Sequence, residues 1–249
     1  MIKLTFVDET QSPIELDAET IADAVKMAIE QGISLCGVDL KEADLHELDL
    51  HSIDLSYVDL SYANLYGVNL DGASLACALL VDTNLFAASL CHTCFRGADL
   101  HYANLGRSRA IGADFGSADL HTTDLSNADF SDAKLNDVDL RGAKLINTNF
   151  TRAILVGADL MSTELDGTVL VGANLDYAGW PLWSYYLHAK IDKRLFCQLL
   201  CHTMRLGQSI DDVEVQSLLN DPVASALANQ FHHIIEYGKL KYEYHDVDD

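Results

Sequence analysis

The chain has 249 residues, 49% of them apolar, so it can bury a substantial core and is not an intrinsically disordered protein. Its 38 acidic and 16 basic residues give a formal net charge of −22, which argues against nucleic acid or an anionic membrane as a direct partner and favours a basic protein. The N-terminus carries no cleavable apolar stretch and no run of about 18 apolar residues occurs, so we expect a cytoplasmic protein with no membrane contact.

The first 32 residues are predicted to form a β-hairpin and one helix that cap the rest of the chain. Residues 2–7 and 13–16 alternate in character on either side of a turn-rich segment, as paired strands do. Asp17 is suited to N-cap a helix that runs to Gln31 and is closed by Gly32.

The segment 33–178 is a tandem repeat. From Leu35 to Leu175 every fifth residue is Leu or Phe, with one exception at Ala110, over 29 consecutive units. Leucines five residues apart would advance by about 140° per unit around a helix, and an odd period would send them to opposite faces of a strand. The chain must therefore bend once per unit and form a coil with a filled interior.

The other positions of the unit fit this geometry. Two residues before each central Leu or Phe the side chain is mostly small or β-branched, so we expect it to share the interior. The residue directly before the centre is Asp in twelve units and Asn in six, and such side chains bond backbone groups at turns. Two residues after the centre, nine units have glycine, which adopts a positive φ without strain.

The unit Ala-Asp-Leu-x-x, as at residues 98–100 and 118–120, resembles that of the pentapeptide-repeat family. The resemblance implies a mainly β fold, a right-handed quadrilateral parallel β-helix with four units per coil. The repeats would then make about seven coils. Members of the family share the coil but differ in function, and those that confer quinolone resistance act on bacterial DNA gyrase. The resemblance thus makes gyrase the leading named target.

After Leu175 the register ends, and residues 179–249 are predicted to be a helical region with an acidic tail. Trp180 falls on the next central position and is expected to plug the last coil. Residues 188–206 place apolar side chains on one half of a helix and basic ones on the other, so this region is also a candidate for a homodimer contact. The cap or dimer candidates are Trp180, Trp183, Ile191, Leu195 and Leu199.

With four units per coil, residues twenty apart fall on one face, and one face carries a row of six aspartates broken only at Leu79. We call this row the aspartate ladder. Its members are Asp39, Asp59, Asp99, Asp119, Asp139 and Asp159. Neighbouring carboxylates repel by about 1 kcal/mol even in water, and Lys41, His101, His121 and Arg141 are placed to answer that charge. Two interpretations stay open: structural use of Asx residues at bends with local neutralisation, or an anionic surface for a basic partner.

The gap in the ladder coincides with outward apolar side chains, which we call the apolar patch: Leu79, Val81 and Phe86. Exposed apolar groups of this kind mark contact sites. The patch is predicted either to bind a partner or second subunit, or to be covered by the chain's own terminal segment.

No catalytic residue, cofactor site or metal site is predicted. The segment Cys91-His92-Thr93-Cys94 looks like half of a zinc site with both cysteines outward, but no second ligand pair lies near it in sequence. A phosphate-binding glycine loop, a nucleophile elbow and a helical His-Glu-x-x-His motif are all missing from the sequence. The six cysteines are expected to be free thiols.

The function predicted from these features is that of a non-catalytic, acidic, protein-binding solenoid acting as an interaction scaffold. One mechanism is charge mimicry, in which the aspartate ladder imitates the phosphates of DNA toward a basic protein such as gyrase. The alternative is a scaffold or regulator that binds a specific protein through the apolar patch and the C-terminal helices, with no relation to DNA.

Overall fold

A computed structural model describes residues 1–179, which comprise an N-terminal cap and a parallel β-helix. In the cap, β1 (Ile2–Leu4) pairs antiparallel with β2 (Ile14–Leu16), and α1 (Ile21–Glu30) follows. The hairpin and the helix are both as predicted. Within residues 1–179 no helix is long and apolar enough to cross a membrane.

The start of α1 differs from the prediction. Thr20, rather than Asp17, is the N-cap: its hydroxyl oxygen accepts a hydrogen bond from the Asp23 N–H at 3.0 Å, and the hydroxyl donates to the Asp23 carboxylate at 2.7 Å. Thr20 rather than Asp17 is the N-cap because Thr20 lies three residues before Asp23, a spacing that allows both hydrogen bonds at once. The end is as expected, since Gly32 has φ +67° and the Ile33 N–H bonds the Ala28 carbonyl, as in a Schellman motif.

The cap is joined to the first coil by backbone pairing. Phe6 forms an antiparallel bridge with Val38, and the Val7 N–H donates to the Gly37 carbonyl at 2.8 Å. The Asp39 N–H donates in turn to the Thr5 carbonyl at 2.8 Å. The edge of the first coil is therefore not left open.

Successive coils of the β-helix stack by parallel bridges between residues twenty apart, from Asp39 to Gly179. The Leu100 N–H donates to the Asp119 carbonyl at 2.8 Å, and the Asp119 N–H donates to the Ala98 carbonyl at 2.9 Å. Twenty residues are four five-residue units, as the resemblance implied. Residues twenty apart are therefore neighbours in space, and this relation builds every surface described below.

Each unit turns at the same place. The residue two after the centre has a positive φ in every unit from Gly37 to Tyr177, and twenty of these residues are not glycine. The N–H of the following residue closes the turn, as from Ala103 to the Leu100 carbonyl at 2.9 Å. A side chain in this region costs about 1–2 kcal/mol, so the interior must stabilise the coil against repeated local strain.

The interior contains the central side chains together with the small residues two before them. The buried side chains include Leu100, Ala98 and Thr123. The Thr123 hydroxyl donates a hydrogen bond to the Leu100 carbonyl, so this buried polar group has a partner. Four phenylalanines contact one another in the interior, the first pair stacked and the next two pairs tilted by 41°: Phe95, Phe115, Phe130 and Phe150. Ala110 lies one unit before Phe115 and one coil before Phe130, whose ring centroids are 5.2 Å apart. We attribute the exception in the repeat to the space that these rings require.

Candidate interaction surface

The aspartate ladder forms one column on the β-helix. Parallel bridges join Asp39 to Asp59, Asp99 to Asp119, Asp119 to Asp139, and Asp139 to Asp159. Leu79 bridges both Asp59 and Asp99 and so occupies the gap.

Every carboxylate of the ladder is used in a turn. In all six aspartates, Oδ1 accepts a hydrogen bond from the backbone N–H two residues on, at 3.0 to 3.2 Å. Asn64 makes the same bond to the Tyr66 N–H at 3.3 Å, so the bond needs the side-chain oxygen but not its charge. The structural use of Asx residues at bends is therefore confirmed, and Oδ2 is the oxygen that the turn leaves for other partners.

Lys41 covers one member of the ladder. Its Nζ lies 2.9 Å from Asp59 Oδ2, one coil away, and the Asp59 side chain is only 4% exposed. Burial would raise the pKa of the Asp59 carboxyl, but hydrogen bonds from Lys41 and Ser61 outweigh it and hold that pKa below its ordinary value. The expectation that all six aspartates lie open to a partner needs correction at Asp59, because the long lysine side chain reaches the next coil.

Arg141 neutralises the far end of the ladder. Its Nε lies 2.9 Å from Asp139 Oδ1 and 3.0 Å from Oδ2, and its second guanidinium nitrogen lies 2.5 Å from Oδ2. Nε also lies 3.7 Å from the Asp159 carboxylate. These bonds lower the pKa of the Asp139 carboxyl.

Two histidines occupy the middle of the ladder. The His101 and His121 rings stack with centroids 5.1 Å apart and an interplanar angle of 7°. Each ring bonds the aspartate two residues before it, His101 to Asp99 and His121 to Asp119, the latter at 2.6 Å. The four residues predicted to answer the ladder charge thus all contact it. The close approach of the two Asp–His pairs was not foreseen, because it emerges only when residues twenty apart become neighbours.

The apolar patch lies at the gap. Leu79 is 38% exposed, and Val81 and Phe86 are half-buried. The Arg107 guanidinium carbon lies 5.6 Å from the centroid of the Phe86 ring, within the range of a cation–π contact.

The sequence analysis missed three tyrosines that extend the patch, which we call the tyrosine rim: Tyr62, Tyr66 and Tyr102. The Tyr62 N–H bonds the Val81 carbonyl, and Tyr66 stacks on Phe86 with centroids 6.1 Å apart. Tyr62 and Tyr102 lie one coil on either side of Asp82 and are each 58% exposed. The twenty-residue register was the signal that could have found them.

The Cys91–Cys94 segment is corrected by the structure. Cys91 is buried rather than outward, and its thiol lies 3.5 Å from the Arg109 carbonyl of the next coil. Cys94 is half-buried, and both are free thiols. The cap or dimer candidates Trp180, Trp183, Ile191, Leu195 and Leu199 lie outside the described residues.

The pentapeptide-repeat family model, "Pentapeptide repeats (8 copies)", matches the chain in overlapping segments. The matched residues are 53–90, 63–101, 78–116, 103–142 and 123–160. The chain therefore belongs to the pentapeptide-repeat family, and its coil is the right-handed quadrilateral β-helix that these proteins form.

Solved structures of other pentapeptide-repeat proteins are similar to the chain. Full-length QnrB1, a plasmid-mediated fluoroquinolone resistance protein, is 16% identical with a TM-score of 0.47, over 68% of this chain and 85% of QnrB1. HetL from Nostoc sp. strain PCC 7120, which is involved in heterocyst differentiation regulation, is 23% identical with a TM-score of 0.22, over 68% of this chain and 100% of HetL. A protein of the Arabidopsis thaliana thylakoid lumen is 31% identical with a TM-score of 0.23, over 41% of this chain and 68% of that protein. Comparison with curated protein sequences gave no match.

Proposed function

We propose that the protein is a non-catalytic interaction scaffold that binds a basic protein partner through the apolar patch and the tyrosine rim. Pentapeptide-repeat proteins are generally structural or interaction scaffolds rather than enzymes. The observation that carries the proposal is the exposed Leu79, since every other residue of its column from Asp39 to Asp159 is aspartate.

The composition around Leu79 is that of a recognition surface. Tyrosines supply large, stiff contact area, and apolar side chains at the centre of an interface gain most from losing water. The carboxylates above and below the gap, such as Asp39 and Asp99, form a charged surround. Charges of this kind speed association with a basic partner and select against acidic ones more than they add affinity.

A second candidate is charge mimicry of DNA toward a DNA-binding protein such as gyrase. The column of carboxylates, one in each coil from Asp39 to Asp159 except at Leu79, favours it. The contacts of Lys41 and Arg141 weigh against it, because they cancel part of the charge. A supercoiling assay tests the target: mimicry predicts inhibition of gyrase that weakens as salt rises, and no inhibition at micromolar protein would rule out gyrase.

The scaffold is tested by affinity capture from host lysate, followed by calorimetry with the purified captured protein. Tyr62→Ser and Tyr102→Ser should each weaken binding by at least about tenfold, as expected for tyrosines at the centre of an interface. Serine occupies the same turn position in other units, as at Ser52 and Ser117, so both variants should fold.

Tyr57→Ser is the matched control. Tyr57 occupies the same turn position, is 61% exposed and lies in a different column. Its substitution should leave binding unchanged. Equal losses for all three variants, or none for any, would reject the tyrosine rim as the binding surface.

A homodimer through residues 188–206 remains a separate proposal, based on the amphipathic pattern of that segment. Light scattering of the full chain should then give twice the mass of one chain. The mass of a single chain would contradict it.

A further inference from the structure

Beyond protein binding, the middle of the aspartate ladder contains two overlapping sets of metal-ligating side chains. One ligand atom each from Asp99, His101 and Asp119 lie within 4.8 Å of one another, and the same holds for Asp119, His121 and Asp139. All five side chains are half-buried and belong to the rigid coil. They adjoin the binding surface, since Leu79 bridges Asp99 and the Tyr102 ring centroid lies 5.2 Å from that of His101.

The turns hold these side chains in place. Asp99 Oδ1 accepts bonds from the backbone N–H and the ring Nδ1 of His101, and Asp119 Oδ1 does the same with His121. An ionised carboxylate has no proton to donate, so Nδ1 carries the proton, and an ion shared by Asp99 and His101 would displace that proton and bind at Nδ1.

The chain contains the same Asp–His pair elsewhere without such a group. His46 bonds Asp44 at 2.7 Å, but the residue one coil on is Asn64, whose side-chain amide donates to Asp44 at 2.9 Å. At the position one coil on from the aspartate, this pair therefore has an amide, where the Asp99–His101 pair has the carboxylate of Asp119. A single Asp–His pair therefore recurs in this coil, whereas a histidine between two ladder carboxylates occurs only from Asp99 to Asp139 among the described residues.

Arg141 makes the second group less suited to a metal ion than the first. It holds Asp139 of the second group in a two-pronged ion pair, which opposes a further cation there. Asp99 and Asp119 of the first group have only histidine as an ionisable partner within ion-pair distance in the described part of the chain. The first group is accordingly the more favourable for a dication.

We propose that Asp99, His101 and Asp119 bind one divalent transition-metal ion of the zinc class, with water completing the coordination. A mixed set of imidazole nitrogen and carboxylate oxygen suits Zn²⁺, Co²⁺, Ni²⁺ or Cu²⁺ better than Ca²⁺ or Mg²⁺. Tetrahedral zinc with bonds of about 2.0–2.2 Å holds its ligand atoms about 3.4 Å apart, which small side-chain rotations can reach from the observed spacing.

The test is calorimetric titration of the full chain with Zn²⁺, together with the visible absorption of the Co²⁺ form. The wild type should bind one ion that Asp99→Asn, Asp119→Asn and His101→Asn each weaken by at least about tenfold. Asparagine fills the aspartate position in other units, as at Asn104, and keeps the turn bond there. His46→Asn is the matched control and should bind as the wild type does, and His121→Asn reports whether the second set binds the ion instead.

Several results would overturn the site. They are the absence of Zn²⁺ binding to the wild type, equal binding by His101→Asn, and a loss confined to His121→Asn. A thiolate charge-transfer band in the Co²⁺ spectrum would also overturn it, because the ion would then be bound by cysteine. Partner binding is tested separately by Tyr62→Ser, because Tyr62 lies two coils from Tyr102, whose ring packs against both histidines.

Discussion

The central leucine column and the aspartate ladder are one residue apart in sequence but tolerate change very differently. Leu100 is fully buried among side chains from other coils, while Asp99 bonds its own turn and faces outward. The interior departs from Leu or Phe only at Ala110, where Phe115 and Phe130 account for the change. The ladder departs from aspartate at Leu79, whose side chain is 38% exposed. We therefore attribute the departure in the interior to packing and propose that the departure on the outside serves recognition.

The largest expected effect is that of a cavity in the interior. Leu100→Ala should lower the free energy of unfolding by about 2–5 kcal/mol, because the removed atoms leave a void in a packed column. Leu79→Ala, the same change at an exposed leucine, should cost less than about 1 kcal/mol. Denaturant unfolding monitored by circular dichroism measures both, and equal losses would break the distinction between the two columns.

Filling the interior exception should also be harmful. Ala110→Leu is expected to destabilise the coil by about 1–3 kcal/mol, because the added atoms compete with the phenylalanine stack. Combining it with Phe115→Leu should recover part of the loss. A neutral or stabilising Ala110→Leu would mean that the space beside Ala110 is empty, and our reason for the exception would be wrong.

On the ladder the chemistry of the acceptor should matter more than its charge. Asp119→Ala removes the oxygen that accepts the His121 N–H and should cost about 0.5–1.5 kcal/mol. Asp119→Asn retains an oxygen and should stay within about 0.5 kcal/mol of the wild type. If both variants lower the free energy of unfolding equally, the ladder stabilises the fold through its charge and not through the turn bond.

The smallest effect should be the pH dependence at Asp59. Its pKa is depressed in the folded chain, so its contribution is present above the unfolded pKa of about 3.9 and is lost as pH falls through the folded value. Asp59→Asn has no group to titrate at this position. Its stability should therefore fall less than that of the wild type in unfolding experiments carried from neutral to acidic pH, and identical pH profiles would exclude a stabilising Lys41–Asp59 pair.

The repeat explains why so much of the coil was predictable. Each unit must turn one large apolar side chain toward the interior, so the sequence has a five-residue period of Leu or Phe from Leu35 to Leu175. Thr20 was missed because Asp17 is an equally good capping residue when tertiary contacts are unknown. Lys41 was not expected to bury Asp59, because side-chain reach across a coil is not encoded in periodicity.

The surface features share a different limit. Ligand clusters such as His101 with Asp119 were sought along the sequence, whereas the fold creates them between residues about twenty apart. The tyrosine rim was overlooked because tyrosines such as Tyr62 stand at turn positions, where the repeat accepts almost any residue. Comparing each residue with those twenty positions before and after it would have placed the Asp–His clusters and the tyrosine rim.

The most direct test is the affinity of Leu79→Asp for the captured partner, measured by calorimetry beside its free energy of unfolding. Aspartate is the usual residue of this column and can bond the Val81 N–H, so stability should change by no more than about 0.5 kcal/mol. Ser74→Asp, which adds the same charge at the same repeat position in another column, is the control. We predict binding at least about tenfold weaker for Leu79→Asp and unchanged for Ser74→Asp. Unchanged or tighter binding by Leu79→Asp would contradict recognition through the apolar patch and favour charge mimicry by a completed ladder.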